Sequence, residues 1–83
     1  EMKKKNTKII KVNLKNIFIK IFKLKNKVNL KDLHYKKISN WDSLQHILLI
    51  KSIEKKFKLE FNDTEIIDMI SYKNILNKIK NFK

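Results

Sequence analysis

The stretch Trp41-Asp42-Ser43-Leu44-Gln45-His46-Ile47-Leu48-Leu49-Ile50-Lys51-Ser52-Ile53-Glu54-Lys55-Lys56-Phe57 decides how the rest of the chain reads. At about 100° per residue, His46, Leu49, Ile50, Ile53 and Phe57 share one face, with Ile47 at its edge. The spacing predicts a helix over 43–57. Its opposite face carries Leu44, Leu48, Lys51 and Lys55, so two leucines spaced i, i+4 point away from the expected core. Single exposed leucines are ordinary, whereas a pair suggests a docking surface. Asp42 or Ser43 can cap the helix. A serine at this point is exposed and faces backbone N–H groups that have no partner within the helix. It is therefore a suitable place to attach an anionic group covalently.

On the N-terminal side, Ile10, Leu14, Ile17, Phe18, Ile21 and Phe22 predict a helix running to about Phe22, with Thr7 as a possible cap. Ile9, Val12 and Ile19 fall off its stripe, and 17–21 is β-branched enough to pass for a strand. The helix is the preferred reading. Residues 23–41 have no clean period and read as a long connection, pinned to the core by Leu24, Val28, Leu30, Leu33 and Ile38. A connection this long in a small domain is often functional. On the C-terminal side, Lys58-Leu59-Glu60-Phe61 reads as extended. Asn62 or Asp63 then caps a short helix holding Ile66, Ile67, Met69 and Ile70. Ser71 caps a last helix whose apolar stripe is Tyr72, Ile75, Leu76, Ile79 and Phe82. The expected fold is all-α, a small four-helix bundle with one long connection and one short third helix.

The chain has 83 residues, 42% of them hydrophobic, which allows one modest core. It contains no cysteine, excluding disulfides and thiolate chemistry, and two histidines are too few for a structural metal site. No apolar run can span a bilayer, so a cytoplasmic location is expected. Glu1 ahead of Met2 reads as an engineered remnant, leaving residues 2–83 as one domain. There is no glycine or proline, so turns must use Asn, Asp and Ser. The net charge is +13, and every basic residue is lysine. Residues 1–41 hold 13 lysines against two acids, and residues 42–83 hold eight against six. Without arginine's bidentate fork the attraction to nucleic acid is nonspecific, so no specific nucleic-acid partner is expected. Compositional bias with a solvated basic face accounts for most of it.

Over almost its whole length this layout resembles the acyl carrier protein family. The residues that carry the resemblance are Trp41-Asp42-Ser43-Leu44 with His46, then Ile53-Glu54-Lys55-Lys56-Phe57. Lys58-Leu59-Glu60-Phe61-Asn62-Asp63 and Met69-Ile70-Ser71-Tyr72-Lys73-Asn74-Ile75 extend it. The resemblance implies that Ser43 carries 4′-phosphopantetheine from coenzyme A, attached by a phosphopantetheinyl transferase. Its thiol would hold an acyl or aminoacyl group as a thioester, as in fatty acid or polyketide biosynthesis. Asp42, Leu44 and His46 would flank the arm. Leu44, Leu48, Lys51, Glu54 and Lys55 would meet acyl-loading and acyl-transfer enzymes. A monomer that catalyses nothing itself is expected. Typical members line the second helix with acids, whereas here Asp42 and Glu54 are the only ones. Partners that use apolar contacts or acidic patches are expected instead.

Three other readings compete. Asp42, Ser43 and His46 are too close along one helix start to form a hydrolase triad, and no glycine provides a strained nucleophile turn. A nonspecific nucleic-acid binder is motivated by charge alone. A membrane-surface helix over 8–22 is motivated by its amphipathicity, but the bundle needs that apolar face for its core. His46 and Trp41 are expected to pack rather than bind. His34 and Tyr35 carry no pattern.

Overall fold

Residues 7–81 are described by a computed structural model. The expectations about Glu1, Met2 and Phe82 lie outside them. Thr7–Phe22 forms α1, Ser43–Phe57 α2, Asp63–Asp68 α3 and Tyr72–Asn81 α4. Among the described residues the fold is all-α, a small helical bundle in which α1 packs against both α2 and α4.

The stripe of α1 buries Ile10, Leu14, Phe18 and Phe22, with Ile17 and Ile21 packed at its margin. This stripe runs unbroken through 17–21, so burial at a helical period overrides the β-branched content. Ile9 and Val12, off the stripe, are more than half exposed. Thr7 is the first helical residue and not the one before it. Phe18 stands at the centre of the core. Its ring centroid lies 5.9 Å from Phe22, 5.7 Å from Trp41 and 5.8 Å from Tyr72. Tilted and edge contacts of this kind add ~0.5–1.5 kcal/mol each beyond area burial. The Tyr72 hydroxyl donates to the Lys11 carbonyl at 3.2 Å, which joins α4 to α1. Burial pushes the Tyr72 phenol above its ordinary value of 10.0. The unfolded phenol therefore ionises first, and stability falls as pH rises from that value upward.

The long connection is held by side chains along its length. A single 3₁₀ turn, Leu30–Asp32, is capped by Asn29, whose side chain accepts from the Lys31 amide. Leu33, Ile38 and Trp41 are buried, and Leu24 and Val28 pack against the core. Leu30 does not act as an anchor. Its side chain is exposed, because the turn directs its neighbour Leu33 inward instead. The Tyr35 amide donates to the Ile70 carbonyl, and the Tyr72 amide to the Leu33 carbonyl, each at 2.8 Å. This antiparallel bridge between His34 and Ser71 ties the connection to the start of α4.

Between α2 and α3 no strand ladder forms, and Phe61 and Leu59 hold the segment to the core. Asn62 caps α3 in a reciprocal capping box with Glu65. Met69 and Ile70 fall beyond α3, not within it. Met69 is drawn fully into the core, and the Ile70 carbonyl is taken by Tyr35, so the chain turns there. Ser71 caps α4, its hydroxyl accepting from the Asn74 amide at 3.1 Å. Tyr72, Ile75, Leu76 and Ile79 are buried as their spacing predicts.

With no glycine available, α1 and α2 both end on a lysine in the left-handed region, Lys23 at φ 56° and Lys58 at φ 57°. The 6→1 bonds Leu24 N–H to Ile19 C=O and Leu59 N–H to Glu54 C=O, both 3.0 Å, close these ends. A side chain in that region costs energy that glycine avoids. Lys58→Gly is therefore expected to raise stability by about 0.5–1 kcal/mol after the added freedom of the unfolded chain is subtracted. Urea unfolding followed by Trp41 fluorescence measures it, with Lys58→Val expected to move the midpoint the other way.

Candidate functional site

Asp42 is the N-cap of α2, and its carboxylate accepts from the Gln45 amide at 2.9 Å. Its carbonyl accepts from the His46 amide at 2.8 Å. Ser43 is therefore the first helical residue, and its side chain is exposed. Of the first-turn donors, the amides of Ser43 and Leu44 have no acceptor among the described residues. The serine hydroxyl thus stands at the positive end of a helix of 15 residues.

Side chains on either side lock this helix start in place. Gln45 Nε2 donates to the Ile21 carbonyl at 3.1 Å, and Asn40 Nδ2 to the Phe22 carbonyl at 3.4 Å. The last carbonyls of α1 are thereby satisfied by residues flanking Ser43. Trp41 is 3% exposed, and its indole Nε1–H donates to His46 Nδ1 at 3.0 Å. The other ring nitrogen of His46, Nε2, lies 2.7 Å from the Ile66 carbonyl. An Nδ1 that accepts leaves Nε2 as the donor, which assigns the neutral Nε2–H tautomer to His46. The indole and imidazole rings also stack, with centroids 5.9 Å apart. A relay of Trp41, His46 and the Ile66 carbonyl therefore joins the connection, α2 and α3 within one turn of Ser43. Both nitrogens of His46 are used, so neither is left to take a proton from Ser43.

An open hollow of about 360 Å³ lies beside the serine. It is lined by Tyr35, Asp42, Ser43, His46, Ile67 and Ile70. Its apolar wall comes from Tyr35, Ile67 and Ile70, all exposed. Tyr35 carries no signal in the sequence, because the bridge to Ile70 across half the chain brings it here. Ile67 falls about 100° around α3 from Ile66, the residue of that helix that packs on the core, and is left exposed. Of the residues expected to flank the arm, Asp42 and His46 line this hollow with Ser43, and Leu44 does not.

The outward face of α2 presents Leu44, 65% exposed, and Leu48, 45% exposed, together with exposed Lys51 and Lys55. Ile47, half exposed, widens the apolar area toward α3. Glu54 is used differently. Its carboxylate accepts from the Phe61 amide at 2.9 Å, so it holds the α2–α3 connection and is already committed within the chain. Among the described residues no group of three or more His, Asp or Glu side chains is placed to hold a metal ion. No described helix is long and apolar enough to cross a membrane.

Compared with known families and with curated proteins, the chain matches no family model and no curated sequence. The reading of the site rests on its residues and their geometry.

Removing the His46 ring leaves a buried indole N–H and the Ile66 carbonyl without their partner. His46→Ala is expected to cost about 1–3 kcal/mol. Thermal unfolding by circular dichroism measures the loss. His46→Gln, which keeps an acceptor and a donor, should recover part of it.

Proposed function

We propose that this protein is an acyl or aminoacyl carrier, loaded on Ser43 with 4′-phosphopantetheine. The observation that carries the reading is the exposed Ser43 hydroxyl at the first position of α2, with two amides that have no acceptor among the described residues and an apolar hollow beside it. A phosphodiester on that oxygen would lie at the positive end of the helix dipole, an interaction of ~0.3–1 kcal/mol at an exposed site. No cysteine is required, because the thiol belongs to the prosthetic group, which would come from coenzyme A. That thiol would form the thioester with the cargo. The chain's own residues would hold the arm and orient it: Asp42 orders the helix start, and Tyr35, Ile67 and Ile70 offer apolar surface to the arm or its cargo.

Partner enzymes would meet the outward face of α2. Leu44, Leu48, Lys51 and Lys55 are exposed there, and the single acid expected on that face, Glu54, is occupied by the Phe61 amide. Recognition by acid-to-base pairing in the usual sense has little to work with, so apolar contact and lysine carry it. The competing reading, a nonspecific binder of nucleic acid or of a membrane surface, draws on the +13 charge. Gel shifts at low and moderate salt, and vesicle binding by the folded chain, test it.

Incubation with coenzyme A and a broad-specificity phosphopantetheinyl transferase is expected to add the mass of one phosphopantetheinyl group to the intact protein, and none to Ser43→Ala. An unchanged mass for the folded wild type, with the transferase active on a control carrier, would sink the reading. For the docking face, Leu48→Glu and Lys51→Glu are each expected to lower the rate of transfer with the cognate partner about fivefold or more. Single-turnover loading kinetics measure this, and full rates in both variants would remove the face from the proposal.

A further inference from the structure

A second surface lies on the side of α2 that turns toward α1. Ile17, Lys20 and Ile21 of α1 and Ser52, Lys55 and Lys56 of α2 line an open trough of about 470 Å³. Its floor is aliphatic, formed by the half-buried Ile17 and Ile21. Its rim is three lysines. Among the described residues none of these lysines is ion-paired with a carboxylate. The nearest acid along α2, Glu54, faces the other way and holds the Phe61 amide. Gln45 Nε2 also bonds the carbonyl of Ile21, which ties α2 to the end of α1.

We propose that this trough docks an acidic segment of a partner protein, which places an apolar side chain on Ile17 and Ile21 and carboxylates against Lys20, Lys55 and Lys56. Charge complementarity commits the occupant. Three like charges held around one apolar floor repel each other, and that cost is relieved by an anionic ligand that also covers the floor. Other anions fit less well. A small phosphate would find only solvated ammonium groups, with no arginine fork and no backbone nest among the lining residues. Single-stranded nucleic acid needs aromatic faces for stacking, and this floor is aliphatic. A flat bilayer surface cannot reach the bottom of a trough between two helices, whereas a protruding leucine can. Lys55 also borders the outward stripe of Leu44 and Leu48, so a partner seated there would extend its footprint onto α1. The Ser43 hydroxyl takes no part in this docking, and Lys55 alone is shared with the face proposed for partner enzymes.

Heteronuclear NMR of the full chain tests it. The probe is a synthetic helical peptide with a leucine pair surrounded by glutamates, compared with the same peptide carrying serine in place of leucine. Shifts are expected to centre on Ile17, Lys20, Ile21, Ser52, Lys55 and Lys56, and the serine peptide should bind about tenfold more weakly. The triple variant Lys20→Glu, Lys55→Glu, Lys56→Glu should weaken binding by about tenfold or more. Lys25→Glu, Lys27→Glu, Lys31→Glu, an equal charge change in the long connection, should change it by less than about threefold at moderate salt, where distant exposed charges are screened. Equal losses in the two triple variants would reduce the effect to diffuse charge and overturn the proposal. So would a tighter response of the same six residues to a single-stranded oligonucleotide or to phosphatidylglycerol vesicles. Should the first triple variant fail to fold by circular dichroism, the double variant Lys20→Gln, Lys56→Gln serves, and unweakened binding there overturns the proposal too. Ser43→Ala is expected to bind the peptide as the wild type does, so failure of this docking site and failure of priming are read separately.

Discussion

A buried indole N–H must have an acceptor, and around this requirement the candidate site is organised. Trp41 is needed in the core, where its ring meets Phe18 and Phe22. Desolvating its Nε1–H without a partner would cost more than most single contacts in the chain return. His46 supplies the acceptor, which brings one face of the first turn of α2 against the connection. The remaining ring nitrogen then needs an acceptor of its own and takes the Ile66 carbonyl, which brings α3 in. The serine three residues before His46 stays exposed beside it, at a helix start held in place by these bonds.

The same economy replaces glycine. Helices α1 and α2 end on lysines in left-handed geometry, and the carbonyls left open at the end of α1 are met by Asn40 and Gln45. A chain rich in lysine and asparagine closes its helices with the side chains it has. One consequence is local: the polar groups that satisfy α1 are the ones that hold the start of α2. Another is electrostatic. The long lysine side chains leave the apolar floor between α1 and α2 open to solvent while ringing it with charge.

Helix positions were legible because burial follows period. The stripes at 10–22, 43–57 and 72–79 each bury most of their predicted residues, with Ile17, Ile21 and Phe57 packed partly buried beside them, and Ser71 caps α4 as its residue type suggests. Leu30, Met69 and Ile70 depart from the expected pattern for one reason. Each lies in a segment too short or too irregular to have a period, so hydrophobicity alone suggested burial or helix. The 3₁₀ turn sets Leu30, and the antiparallel bridge between His34 and Ser71 sets where the chain turns after α3. The resemblance implies a partner-facing role for Glu54. An amide seven residues later claims its carboxylate, and no helical pattern reports that.

Local chemistry along the chain was enough to determine four helices, their buried faces, and a serine at the exposed start of the second, because periodicity and capping act over a few residues. Only the folded structure decided which side chains stand around that serine. Tyr35 and Ile70 meet there through backbone bonds between distant segments, Ile67 through the docking of α3, and Lys20 faces Lys55 and Lys56 only because α1 and α2 pack side by side. Contacts of that kind depend on packing between segments far apart in sequence, and no window of sequence contains both partners.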